Sequence, residues 1–387
     1  MKKKIAILGS TSSIGKSLLK IIKKNQKKFE ITLLTANTNH KDLLKQAKIF
    51  NVKNLIITDN KSFEALKSKN KNKKIKIYNN FKSLNKIFNK KIDYVMSAIS
   101  GIEGLEPTFN IIKHTKLIAI ANKESIICGW NLIKKELEKN KTNFLPVDSE
   151  HFSIWYSLKD QNTQNIEKIF ITASGGPLYK TPFKKLKNIK LKKVLKHPNW
   201  KMGKKISIDS ATMMNKIFEV IEAKNIFDIT YNKLSILVHP KSYIHALVKF
   251  NDGMTKIILH NTTMEIPIFN TLYSRNEKKY QSTKLDIDKL NNLELNKIDK
   301  KKFPLIKILK KIPNKSSLFE TVIVSANDVL VNLYLNNKIK FLDIQNKLLK
   351  LINLKEFKKY KKIKPNNIKN IYKLNKYVSI KTKSYCV

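Results

Sequence analysis

Residues 5–15 read Ile-Ala-Ile-Leu-Gly-Ser-Thr-Ser-Ser-Ile-Gly, and an amphipathic stretch from Lys16 to about Lys24 follows. Ile5 to Leu8 has the apolar run of a buried parallel strand. Gly9 to Gly15 is a glycine-bearing turn leading into a helix. Strand, turn and helix form the opening unit of a Rossmann-like fold, in which the N–H groups at the helix start take a phosphate. Ser12 stands where a middle glycine is expected. Gly-Ser turns before helices are common in α/β proteins, so this turn alone leaves the ligand open.

The β/α alternation continues outward. Ile31 to Thr35 is a strand, and the chain then reads Ala36-Asn37-Thr38-Asn39-His40. No acid ends this strand to bond a ribose 2′-hydroxyl, which leans toward NADP over NAD; Lys41 is the nearest cation. Further strands are expected at Leu55 to Thr58, Ile75 to Tyr78, Tyr94 to Ile99 and Leu117 to Ala121, with helices around 62–67 and 107–113. The last strand ends in Asn122-Lys123-Glu124-Ser125, at the carboxyl edge where α/β ligands bind. A helix cap made by Asn122 is an equal reading.

The chain has 387 residues, 42% of them hydrophobic, enough for two or three domains with real cores. The net charge is +49. A basic nucleic-acid-binding protein with a vestigial enzyme core is one reading. Against it, the lysines are spread along the whole chain and Arg275 is the only arginine, whereas arginine is the preferred bidentate reader of guanine. Specific nucleic-acid recognition is therefore not expected. Two cysteines, Cys128 and Cys386, make no disulfide framework and point to a reducing, cytoplasmic setting. The apolar run after Lys2-Lys3-Lys4 is too short for a signal peptide, and no run is long enough to span a membrane.

Phe144-Leu145-Pro146-Val147 leads into Asp148-Ser149-Glu150-His151. On an extended segment residues 148 and 150 face the same way, and two facing carboxylates call for a cation between them. Oxygen ligands suit Mg²⁺ or Mn²⁺. A helix start with acids in its first turn fits equally. His151 reads as a packing residue. Ala173-Ser174-Gly175-Gly176-Pro177 follows a strand and lets backbone approach an anion. From His197 to Gly203 the chain is turn-prone, with an imidazole and an indole. Asp209 and Ser210 then read as the cap of a helix from Ala211. Asn215 and Glu219, four apart, share one face of it. Ser210, Asn215 and Lys216 suit a phosphate, and Glu219 suits a neighbouring cation.

Leu234 to Val238, Tyr243 to Phe250 and, after Asn251-Asp252-Gly253, Met254 to Leu259 read as an open antiparallel sheet offering a dimer surface. His239 and His245 read as structural. Residues 276–303 read as a linker, and 303–311, 317–337 and 341–352 as a small helical bundle. The basic tail from Leu354 is expected to dock its apolar residues on that bundle and leave its lysines solvated.

Taken together the motifs resemble one family. Gly9 to Gly15, Ala121-Asn-Lys-Glu-Ser125, Pro146-Val-Asp-Ser-Glu-His151, Ala173-Ser-Gly-Gly-Pro177, His197-Pro-Asn-Trp200 with Met202-Gly203, and Ile206 through Ala223 resemble the 1-deoxy-D-xylulose 5-phosphate reductoisomerases over essentially the whole chain. The resemblance implies an NADPH-dependent homodimer using Mg²⁺, Mn²⁺ or Co²⁺ in the methylerythritol phosphate route to isoprenoids. Its product is 2-C-methyl-D-erythritol 4-phosphate. It implies a Rossmann-like NADPH domain at 1–148, a catalytic and dimerisation domain at 149–275 with a mobile lid at 197–205, a linker at 276–303, and a C-terminal helical domain at 304–387.

By matched position, Asp148, Glu150 and Glu219 hold the metal. Ser174, Ser210, Asn215 and Lys216 bind the substrate, chiefly its phosphate, with His197 beside them. Ser149 and Lys123 meet the sugar oxygens. Thr11, Ser12, Ser13, Ile14, Asn39, Asn122, Glu124 and Gly203 fall at cofactor positions, as do Asn37 and Thr38. Trp200 and Met202 lie on the lid. The chain departs from the family at Ser12, at Asn37-Thr38 where a Gly-Lys pair is usual, at 260–265, and at Asp328 where the family has Glu. The first two bear on cofactor affinity.

Overall fold

The structure, a computed structural model, describes residues 1–159, 161–200, 202–273 and 278–386. Arg275, the expected boundary at 275/276 and Lys201 of the expected lid lie outside the described residues. The chain forms two compact units. The first is Met1–Ser125, Asn131–Asp148 and Met264–Gln281; the second is Ile126–Trp130, Ser149–Thr263 and Ser282–Val387.

The first unit carries a seven-stranded sheet. In chain order its strands are β1 (Lys3–Leu8), β2 (Phe29–Ala36), β3 (Asn54–Ile57), β4 (Lys76–Tyr78), β5 (Tyr94–Ser97), β6 (Leu117–Ile120) and β7 (Asn143–Pro146). Their spatial order is β4-β3-β2-β1-β5-β6-β7, with every pair parallel. The chain winds outward from β1 to β4, then restarts at β5 on the other side of β1. That reversal opens a crevice at the carboxyl ends of β1 and β5.

Ile5 to Leu8 are fully buried. Helix α1 (Ser13–Lys23) buries Leu18, Leu19, Ile21 and Ile22 on this sheet. Each fully buried side chain of this size contributes roughly 1.5–3 kcal/mol. Helix α2 (His40–Phe50) adds Leu43 and Ala47.

The helix Glu265–Leu272 also belongs to this unit, although the sequence placed it in the catalytic domain. Its Ile268, Phe269 and Leu272 complete the core, and Lys3 Nζ donates to Leu272 O at 2.6 Å.

The second unit holds a five-stranded sheet of β8 (Ile166–Ala173), β9 (Leu234–Val238), β10 (Ile244–Phe250), β11 (Thr255–Leu259) and β12 (Asn296–Lys297), ordered β11-β10-β8-β9-β12. β10 is antiparallel to β8 and β11, but β8 and β9 are parallel, so the sheet is mixed rather than antiparallel throughout. The helices between β8 and β9 form the crossover that permits parallel pairing. β12 lies inside the expected linker and pairs with β9.

Helix α3 (Lys123–Lys139) follows β6. In the second unit come α4 (Ser149–Ser157), α5 (Lys204–Ala211), α6 (Met214–Phe227), α7 (Phe319–Leu335), α8 (Phe341–Leu351) and α9 (Ile368–Cys386). The basic tail docks as its pattern predicts. On α9, Ile371, Leu374 and Val378 are buried while Lys369, Lys373, Lys376, Lys381 and Lys383 are exposed. Among the described residues no helix is long and apolar enough to cross a membrane.

Candidate active site

In the first unit the expected cofactor residues gather at helix starts along the carboxyl edge of the sheet. Gly9 adopts φ +78°, and a Cβ there would lie 2.7 Å from Ala98 O, so the turn passes against the β5 loop only as glycine. Gly9 N donates to Thr35 Oγ1 at 2.9 Å and Ser10 N to Thr35 O at 2.9 Å. Ser12, in place of the middle glycine, caps α1 by accepting from Gly15 N at 3.1 Å. Thr11, Ser13 and Ile14 make the rest of the turn and first helical residues, none of them buried. Asn39 caps α2, while Asn37 and Thr38 are exposed in the bend before it.

Asn122 caps α3 by accepting from Ser125 N at 2.6 Å, and its Nδ2 donates to Ile99 O and Gly101 O at 2.6 and 2.8 Å. The capping reading of Asn122 is therefore realised, and the same side chain ties down the β5 loop. Glu124 is buried and accepts from Asn122 Nδ2 at 3.3 Å. Lys123 Nζ donates to Asp148 Oδ2 at 2.6 Å.

In the second unit Ser149 opens α4, so Glu150 sits in a first helical turn rather than on an extended segment. Its carboxylate is favoured there by the helix dipole. Ser149 Oγ donates to Glu150 Oε2 at 2.5 Å. The Lys216 ammonium lies 2.7 Å from Glu150 Oε1 and also pairs with Glu219 Oε2. Carboxylate oxygens of Glu150 and Glu219 come within 4.8 Å of each other. Burial works against the Lys216 charge, but the two carboxylates outweigh it and hold its pKa above the ordinary lysine value. Asn215 Nδ2 donates to Glu219 Oε1, confirming the shared face. His151, fully buried, bonds Glu219 O at 2.8 Å through Nε2 and packs rather than faces the site.

Asp209 and Ser210 do not cap a new helix. They close α5, and a break at Thr212-Met213, with Met213 at φ 64°, starts α6 at Met214. Capping patterns are local, whereas this break is set by packing on both sides. Lys204 and Lys205, the last residues of the expected lid, form the first turn of α5, and Gly203 precedes it.

His197 Nδ1 accepts from Asn199 N and Trp200 N at 3.1 and 3.0 Å. That requires the lone pair on Nδ1, so Nε2–H is the donor to Ser174 Oγ at 3.0 Å. Burial, helped by the Lys216 charge, lowers the His197 pKa to about 4, keeping the ring neutral. Ser174 Oγ also accepts from Gly176 N at 3.0 Å, which leaves its own proton to donate to an anion. Gly176, at φ +72°, lets the loop press on α5: a Cβ would lie 2.6 Å from Ser210 O.

Two residues escaped sequence reading. Asn199 Nδ2 donates to Pro240 O and Ser242 Oγ at 2.6 and 2.8 Å, fastening the His197 turn to the β9–β10 connection. Gln46 grips Ser10 at both ends, accepting from Ser10 Oγ at 2.7 Å and donating to Ser10 O at 3.1 Å. The only available signal for Gln46 was a polar residue on the apolar face of α2.

The residues fit the groups the resemblance implies. An oxygen-only donor set that already neutralises itself on an ammonium suits a hard divalent cation. The Gly9 turn sits at the start of α1, where backbone N–H groups suit a phosphate.

Three family models match the chain. The one described as 1-deoxy-D-xylulose 5-phosphate reductoisomerase matches residues 5–129. The 1-deoxy-D-xylulose 5-phosphate reductoisomerase C-terminal domain matches 144–227, and the DXP reductoisomerase C-terminal domain 259–379. The chain is 62% identical over 387 residues to the 1-deoxy-D-xylulose 5-phosphate reductoisomerase of Pelagibacter ubique (strain HTCC1062), covering 100% of both. It resembles the solved Zymomonas mobilis enzyme in complex with NADPH at TM-score 0.88 and 32% identity, covering 100% of this chain and 99% of that one. It resembles a DOX-P reductoisomerase in complex with NADPH, fosmidomycin and magnesium at TM-score 0.91 and 29% identity, covering 99% and 98%.

Proposed function

This chain belongs to the 1-deoxy-D-xylulose 5-phosphate reductoisomerase family, and we propose that it converts 1-deoxy-D-xylulose 5-phosphate to 2-C-methyl-D-erythritol 4-phosphate in isoprenoid precursor synthesis. NADPH and a divalent metal are its cofactors. The observation that carries this reading is the grouping, in one compact unit, of Glu150, Lys216 and Glu219 beside Asn215 on α6.

Asp148, Glu150 and Glu219 are the metal ligands in this reading, with Asp148 carried over by its place two residues before Glu150. A divalent ion there supplies a Lewis acid for a carbonyl and a neighbouring hydroxyl. Lys123 and Ser149 hold the sugar oxygens. Ser174, Ser210, Asn215 and Lys216 bind the phosphate, and His197 keeps Ser174 oriented as a donor. Anchoring the phosphate away from the reacting carbons holds the sugar in register. Thr11 to Ile14, Asn37 to Asn39, Asn122, Glu124 and Gly203 form the NADPH site. The turn around Trp200 excludes water when closed.

The N-terminal region to 148 is the cofactor domain, 149–275 the catalytic and dimerisation region, 276–303 a connection, and 304–387 the helical domain. Residues 264–281 are shared with the first unit's fold. The β11 edge, with Met254 and Ile257 exposed, supports a homodimer. Two cysteines in 387 residues suit a reducing cytoplasm, where this reading places the reaction. A nucleic-acid-binding protein with a vestigial core finds no support, since every expected ligand residue is present.

The test is a spectrophotometric assay. NADPH oxidation should require 1-deoxy-D-xylulose 5-phosphate and Mg²⁺ or Mn²⁺ together. No turnover with all three supplied would overturn the proposal.

A further inference from the structure

Helix α5 has eight residues, Lys204–Ala211, too few to hold itself in water. Its placement must come from what it packs against. Ser207, Ile208, Asp209 and Ala211 are its buried residues. Asp209 is a carboxylate only 2% exposed. A buried carboxylate persists only with directed partners. Its Oδ2 lies 3.2 Å from Lys205 Nζ on the same helix. Its Oδ1 accepts from Asn327 Nδ2 at 2.8 Å. Asn327 is fully buried on α7, in the C-terminal helical region. The adjacent Asp328 Oδ1 lies 3.0 Å from the same Lys205 ammonium. That ammonium also stands 5.2 Å from the ring centroid of Phe218, the neighbour of Glu219 on α6. Three helices therefore meet at Lys205 and Asp209.

We propose that Asn327 and Asp328 are positioning residues for substrate-phosphate binding. They hold α5 so that Ser210 faces the anion, and they pin the end of the lid at Lys205. This rests on the reading of Ser210 as a phosphate contact and of 197–205 as a lid. The geometry leaves α5 little freedom. One side of its last turn is bonded to α7 through Asp209. The next residue, Ser210, has its carbonyl pressed on Gly176, where even a Cβ would not fit. Rotating α5 to swing Ser210 away breaks the Asp209–Asn327 bond, and sliding it drives Ser210 into the Gly176 loop. A hydrophobic contact at 209 would bury as well but would not fix rotation; a charged, directional bond does. The C-terminal helical region thus acts on the phosphate subsite without touching the substrate.

The test uses the full chain with Asn327→Ala, Asp209→Asn, Asn327→Asp and the exchange variant Asp209→Asn/Asn327→Asp. In Asn327→Ala, the KM for the sugar phosphate and the inhibition constant for inorganic phosphate should each rise about tenfold. The KM for NADPH should stay within about twofold. The exchange variant restores one donor and one acceptor with roles reversed, and should recover phosphate affinity that each single change loses. Unchanged phosphate inhibition in Asn327→Ala at an unchanged melting temperature overturns the inference. So does a loss of sugar and NADPH affinity in equal proportion, which marks general unfolding. A wild-type protein without turnover would instead sink the functional reading. The inference is then decided by hydrogen exchange: inorganic phosphate should slow the amides of residues 204–211 in wild type and not in Asn327→Ala. Equal slowing in both overturns it.

Discussion

Lys216 Nζ lies 2.7 Å from Glu150 Oε1, across 66 residues of chain, and pairs on its other side with Glu219. The lysine is 7% exposed and Glu219 1%. Breaking a buried ion pair by removing one partner costs about 3–5 kcal/mol, because charge is left without its counterion. Lys216→Met should therefore destabilise the metal-free protein by about that amount. Mg²⁺ should restore more stability to the variant than to wild type, since the divalent charge takes over the ammonium's work. Thermal melts in EDTA and in MgCl₂ check this. An equal Mg²⁺ shift in both proteins would separate these carboxylates from the metal.

Glu219→Gln keeps the side chain's volume and its Asn215 neighbour but removes the negative charge. Turnover should fall by at least about a thousandfold, with the melting temperature changed by only a few degrees. Near-normal activity would take Glu219 out of the metal site.

Glu320 gives a pH dependence. It is 2% exposed on α7 and accepts from Ser317 Oγ at 2.5 Å. Burial pushes its carboxyl up to about 7, with the Ser317 hydrogen bond and the Lys224 charge opposing the rise. The folded protein then holds a proton that the unfolded chain has released between pH 4.5 and about 7. Stability from this group is full below pH 4.5 and is lost as pH rises through about 7. The loss amounts to about 3 kcal/mol. Glu320→Gln should match wild type at pH 4.5 and exceed it at pH 8. Urea unfolding at both pH values reads the difference. A wild-type slope that persists in the variant would assign it to another group.

Thr38 is exposed in the bend after β2, where the family usually has Lys. Thr38→Lys offers a charge to a 2′-phosphate. It should lower the KM for NADPH about fivefold and leave NADH unchanged, as expected of a solvent-facing ion pair worth about 1 kcal/mol. Parallel kinetics with both cofactors test it. A matching change for NADH would place residue 38 away from the 2′-phosphate.

Gln46 holds both the hydroxyl and the carbonyl of the buried Ser10. Gln46→Leu leaves the Ser10 carbonyl without this donor, at about 1–3 kcal/mol, while Ser10 Oγ keeps Thr35 O at 3.3 Å. The KM for NADPH should rise severalfold while that for the sugar phosphate holds. Equal rises would mean the phosphate turn does not depend on this grip.

Much of the candidate site was legible because it is written in short-range patterns. Gly9 before a helix, Asn122 three residues before Ser125, and Asn215 four before Glu219 act over one turn, so spacing alone places them. The Asp148–Glu150 stretch was legible as to residues but not conformation, because an extended pair and a helix start share that pattern. Gln46 and Asn199 were not legible, since each acts on residues its neighbours in sequence do not reveal.

The sequence alone determined the parallel β/α order of the first unit, the Asn122 cap, the shared face of Asn215 and Glu219, and the amphipathic tail. These follow from period and local bonding, which a chain carries with it. Tertiary structure decided where Asp209 and Ser210 belong, because an eight-residue helix takes its ends from its neighbours. It decided that Glu265–Leu272 completes the first core, that β8 and β9 run parallel, and that β12 extends the sheet from within an expected linker. It also brought Lys216 to Glu150. Each depends on burial and charge pairing between segments far apart in sequence, and no local pattern encodes which partner lies across the gap.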